Sequence, residues 1–181
     1  MVKKNIIVIV LLIVSNISFG QKYSTRTGNI AFEASVPSFE EVAAKTNTAS
    51  AVLDASKGDF AVLALIKGFR FKVALMEEHF NENYVESAKY PKATFKGNIA
   101  DFNLAKVTDK PMTVTITGEL TLHGKTKKII HNATISKSGG AIVVKGAFDV
   151  KPQDFDIEIP SVVSKKIADN IEVTYDLTLS K

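Results

Sequence analysis

Three histidines, a scatter of carboxylates and no cysteine are what this 181-residue chain offers to reactive chemistry. His79 and Glu82 stand three apart, which places two side chains on one helix face. With Glu78 beside them they form the one cluster with metal-ligand spacing. A catalytic zinc needs three protein ligands, and His123 and His131 belong to a separate stretch. The acidic face is therefore read as solvated, and no metal site is assigned. His123 could titrate near neutral pH or meet a polar head group, but in the run His123-Gly124-Lys125-Thr126 it also reads as a plain turn residue. No G-x-S-x-G elbow is present and no Ser-His-Asp set can be assembled. No catalytic residue is assigned, and the chain is not read as an enzyme. The missing cysteines exclude disulfides, thiolate metal sites and a lipid anchor on a thiol.

What remains is apolar patterning, and it is strong. Met112, Val114, Ile116, Leu120 and Leu122 alternate with Thr113, Thr115, Thr117, Glu119 and Thr121, the period-2 mark of a strand with one buried and one wet face. The Gly-containing turn follows, and Lys127 to Ile135 runs back as a partner. An eleven-residue arm spans roughly 36 Å, well beyond a usual strand. Long antiparallel strands with one apolar face belong in a sandwich or a barrel, because an open sheet would leave that face and both edges bare.

The N-terminus is read as a leader rather than as fold. Lys3 and Lys4 precede the unbroken apolar run Ile6 to Val14, and Ser18-Phe19-Gly20 ends it with residues a signal peptidase accepts. Nine apolar residues are too few to span a bilayer, which takes about 20. Residues 1–20 are thus expected to be a signal peptide and residues 21–181 one β-barrel domain, periplasmic or secreted. Losing Lys3 and Lys4 takes the formal net charge from +4 to +2. Lysines and acids are interspersed, without the basic stripe that nucleic acid requires.

In chain order, Gln21 to Thr27 reads as an edge strand or extended arm and Asn29 to Val36 as a strand. Ser38 is expected to cap a short helix with Glu41. Ala51 to Ala55, Phe60 to Leu65, Lys92 to Phe102, Ala141 to Val150 and Ile171 to Leu179 read as further strands. Between them Val73, Met76, Phe80 and Tyr84 recur at helical steps opposite Glu77, Glu78 and Glu82, predicting an amphipathic helix of about three turns. The expected fold is all-β: an eight-stranded antiparallel barrel with one inserted amphipathic helix. Phe32, Phe60, Val62, Phe95, Ile116, Leu120, Ile142, Phe148, Val173 and Tyr175 are the candidates for its lining. Met76, Phe80, Tyr84 and His123 are candidates for a mouth or gate. A small barrel is either filled by such side chains or holds one slim ligand.

Two motifs carry a family resemblance. Gly118-Glu119-Leu120-Thr121-Leu122-His123-Gly124-Lys125-Thr126-Lys127 resembles the G-x-L-T-[IL]-H-G-x-T-K signature of the YceI-like family. Lys89-Tyr90-Pro91-Lys92-Ala93-Thr94-Phe95 resembles that family's K-Y-P-x-A-x-F at the expected distance upstream. The chain departs from the family opening F-x-V-x-H, reading Ile30 to Val36 without a histidine and then Pro37. Its segment Met76 to Tyr84 resembles a divergent sub-branch of the family. The resemblance implies a lipocalin-like barrel carrying a long isoprenoid lipid or an isoprenoid quinone, with no other cofactor. The resulting expectation is a secreted protein that sequesters or carries an isoprenoid-type or other long-chain amphiphile, with transient membrane contact compatible with that role. The sequence leaves the oligomeric state open, a homodimer included. The rival is a ligand-free barrel acting through its outer surface as an envelope interaction or stress protein.

Overall fold

Residues 22–181 are described by a computed structural model; the expected leader lies outside the described residues. Strand β1 (Lys22–Ser35) is followed by β2 (Ala43–Asp54), β3 (Asp59–Leu65) and the two-residue β4 (Arg70–Phe71). The helix α1 (Ala74–His79) runs into a π-helical turn at Phe80–Tyr84. Then come β5 (Lys92–Ile99), β6 (Met112–Leu122), β7 (Lys125–Ser138) and β8 (Ala141–Val150). The short helix α2 (Ser161–Ser164) precedes the last strand, β9 (Ile167–Leu179). All neighbours are antiparallel, in the order β1-β9-β8-β7-β6-β5-β3-β2, and β1 pairs with β2 to close the ring. Eight strands form the wall, and β4 is a short addition beside β2. Closure removes the free edges that strands this long would otherwise expose.

The predicted hairpin is the straightest part of the wall. β6 and β7 pair without a break from Met112↔Ile135 to Leu122↔Lys125. Their turn takes His123 and Gly124 at φ of 50° and 74°, positive at both central residues as a tight right-twisted hairpin requires.

Inside, the barrel has two unlike halves. Toward the ends carrying the 55–58 and 139–140 turns, Leu53, Ile99, Ile116, Ile135, Ile142, Val144, Leu177 and Leu179 meet in a closed core, each with essentially no exposure. Toward the other ends lie the β1–β2 loop, the 66–91 excursion, the His123-Gly124 turn and the 151–166 connection, and here the interior is open.

Three sequence expectations need correcting. Ser38 caps no helix: Ala34 and Val42 pair across the loop and Ser35 Oγ accepts from Val42 N, which leaves a connection too short for one. Lys22–Ser35 is a single strand, with its register shifted around Gly28 rather than broken into two. The helix predicted over Val73 to Tyr84 is α-helical only for Ala74–His79 and then widens into the π turn.

Candidate lipid-binding cavity

Aromatic rings divide the two halves, and the wall makes room for them. Gly97 faces Gly118 across β5 and β6, and a Cβ on either would strike the Phe95 ring. Gly146 faces Tyr175 across β8 and β9 and seats that ring in the same way. Phe60 meets Phe95 edge-on, Phe95 meets His131, and His131 meets both Phe148 and Tyr175, with centroids 5.1 to 6.4 Å apart. This layer is the floor of a cavity of about 350 Å³, within the range of small-molecule sites.

The walls above it are almost wholly apolar. They include Ile30, Ala64, Phe69, Leu120, Leu122, Val150 and Ile171. Two segments roof it. One is the π turn, whose Phe80 joins Phe32, Phe69 and Phe71 in a four-ring cluster at 5.1 to 6.2 Å. The other is the stretch after β8, whose Phe155 and Ile157 are buried against Ile66 and Val85 and pack with Tyr84. The exposed side chains of His79 and Lys166 also border the cavity and mark its rim.

Of the lining candidates, Phe32, Phe60, Val62, Phe95, Leu120, Phe148, Val173 and Tyr175 border the cavity. Ile116 and Ile142 do not: they point inward but lie in the packed half, fully buried among other branched side chains. Alternation reports the face a residue occupies and not its height along the barrel, so a ligand sheathed over the whole strand length is ruled out for these two positions. Met76, Phe80 and Tyr84 border the cavity at its roof.

His123 stands outside the cavity and ties the roof together. Its Nδ1 lies 2.9 Å from the Phe155 carbonyl oxygen and its Nε2 lies 2.8 Å from Glu86 Oε2, while its ring packs edge-on against Tyr90 at 4.5 Å. Lys125 adds a contact of 2.7 Å to Asp156, which holds the Asp156 carboxyl below its ordinary range chiefly through that hydrogen bond. The hairpin therefore clamps both roof segments. The two motifs quoted from the sequence meet here, because Tyr90 of one lies over Gly124 of the other.

The sequence reading passed over Phe69 and Phe71, the roof residues Phe155 and Ile157, and His131. The alternation of Phe155, Ile157 and Ile159 with Asp154, Asp156 and Glu158 was an available signal for a half-buried segment. His131 is hydrogen-bonded through Nε2 to the Tyr175 hydroxyl at 2.7 Å. Burial alone lowers the pKa of His131 and is the main reason that of Tyr175 rises. Among the described residues no cluster of three or more His, Asp or Glu is placed to hold a metal ion.

The family model described as a YceI-like domain matches residues 15–179. The chain belongs to the YceI-like domain family. Three solved structures share the fold of this YceI-like protein. A polyisoprenoid-binding domain from Saccharophagus degradans, implicated in plant cell wall breakdown, is 17% identical with a TM-score of 0.75, covering 88% of this chain and 97% of its own. BcnA of Burkholderia cenocepacia is 17% identical with a TM-score of 0.69, covering 85% and 96%. The YceI protein of Campylobacter jejuni is 18% identical with a TM-score of 0.60, covering 75% and 83%. No curated protein sequence matches the chain.

Proposed function

We propose that this YceI-like protein binds one long-chain amphiphile, isoprenoid in type, in the open half of its barrel and carries it through an aqueous compartment. The observation that carries the reading is the cavity itself, floored by aromatic rings, walled by aliphatic side chains and bordered by charge only at its rim. A chain moved there from water gains about 0.8 kcal/mol per buried methylene, so affinity needs no ion pair. The Saccharophagus domain of the same fold is a polyisoprenoid-binding one, which supports the same class of cargo. The leader-like residues Lys3 to Gly20 support export, with cleavage near Gly20 and a periplasmic or secreted product.

Membrane contact belongs to this reading. Phe39, Leu65, Leu75 and Val162 are exposed and all lie at the open end of the barrel. They would touch a bilayer surface where cargo is exchanged.

A substitution that fills the cavity tests the proposal. Val62 borders it and is half-buried, so Val62→Trp should weaken displacement of a fluorescent fatty acid by farnesol by about tenfold or more. Unfolding free energy should stay within about 1 kcal/mol of wild type, since the added ring enters existing space. Wild-type affinity in this variant would place the ligand elsewhere.

A further inference from the structure

The floor of the cavity holds a polar pair that packing alone does not explain. His131 and Tyr175 face each other from β7 and β9, bonded Nε2 to hydroxyl at 2.7 Å, inside a ring of Phe95, Phe148 and their own aromatic faces. His131 Nδ1 is shielded from water and has no hydrogen-bond partner. Both tautomers leave it wanting. When the hydroxyl donates to Nε2, Nδ1 carries an unmet N–H; when Nε2 donates, Nδ1 presents an unmet lone pair. Such a group costs free energy, and native structures nearly always satisfy it. A buried water is poorly suited, since it needs two to four polar partners, and the cavity lining is almost wholly rings and aliphatic carbon.

Resting on the cavity reading, we infer that the His131–Tyr175 pair is a subsite for an uncharged hydrogen-bonding end group of the ligand, a hydroxyl, carbonyl or amide, seated at the cavity floor. Admitting it would require the rings around Nδ1 to shift, and the partly buried His131 already borders the open volume. An anionic end group does not fit, because among the described residues the groups recorded against the pair are the Phe95 and Phe148 rings and a bare charge would lose its water without replacement. Burial favours the neutral form of both groups, lowering His131 and raising Tyr175. A charged end is left to the rim, where Lys166 is exposed. The floor thus selects which end of an amphiphile enters first.

Four probes with one chain length separate the parts of this inference: dodecane, dodecanol, dodecanamide and dodecanoate, each displacing a fluorescent reporter from the delipidated protein. Dodecanol and dodecanamide should bind about tenfold more tightly than dodecane. Within His131→Phe and within Tyr175→Phe, the affinity ratios of dodecanol to dodecane and of dodecanamide to dodecane should fall to about one, whatever happens to dodecane itself, while the dodecanoate-to-dodecane ratio should stay as in wild type. On the unsubstituted protein, dodecanamide should move the Nδ1 nitrogen resonance of His131 and dodecane should not, a readout that survives if a variant folds poorly. Equal affinity for dodecane and the two neutral polar probes overturns the subsite but leaves the cavity reading standing. So does a preference that persists in His131→Phe. Binding of none of the four overturns both.

Discussion

His131 sits where its proton is coupled to folding. Burial is the cause that lowers its pKa from the ordinary 6.5, and the groups against its ring are the Tyr175 hydroxyl and the Phe95 and Phe148 rings. Above 6.5 neither folded nor unfolded chain holds this proton, so His131 adds no slope. As pH falls below 6.5 the unfolded chain takes up the proton first, and stability drops until the lower folded-state pKa is passed. Urea midpoints followed from neutral into acid should therefore fall further for wild type than for His131→Phe; parallel curves would contradict a buried neutral ring. This residue also shows where reading a sequence stops. Its phase matches that of Ile129 and Ile135, yet a histidine between Ile130 and Asn132 carries no inward mark of its own. Phe32, Phe95 and Tyr175 were legible because each sits in a clean alternation, whereas Ile116 and Ile142 share that alternation and lie in the filled half.

At the scale of elements, the roof is the part that would hold cargo under the proposed function. α1 buries no side chain of its own. It is anchored by Glu77, which accepts from Arg70 at 2.7 Å and from Phe71 N at 3.1 Å, and just past its C-terminal end by Phe80 in the four-ring cluster. Phe80 is only half-buried, so Phe80→Asp should cost about 1 kcal/mol in stability while the bound chain dissociates more than tenfold faster. Losses equal in free energy would argue against a gate. The helix was visible in the spacing of Val73, Met76, Phe80 and Tyr84, but its π turn was not. There the Asn81 side chain donates to the Glu77 carbonyl, a local bond no periodicity announces. β2 was half missed for a different reason. Over the missed half its buried positions Ala44, Thr46 and Ala49 are small or polar, so the inward face there lacks the bulk that makes β6 unmistakable.

Over the whole molecule, a filled core and an open cavity coexist, one at each end of the barrel. The packed half supplies a stable closed base with its branched side chains, and the open half needs only walls and a roof. Under the proposed function, exchange of cargo would work from the open end, where Phe39, Leu65, Leu75 and Val162 are exposed. Leu75→Ser combined with Val162→Ser should reduce co-sedimentation with phosphatidylglycerol–phosphatidylcholine vesicles severalfold and leave binding of farnesol in solution unchanged; undiminished sedimentation would remove the membrane from the account. The central claim is that the open half holds a chain in the cell. Its most direct test is mass spectrometry of the intact protein purified from its own producing cells, run beside a solvent extract of the same sample. A bound mass near one equivalent, matched in the extract by an amphiphile with a prenyl ladder, is the predicted result. An intact mass equal to the bare chain, with nothing above background in the extract, would contradict it.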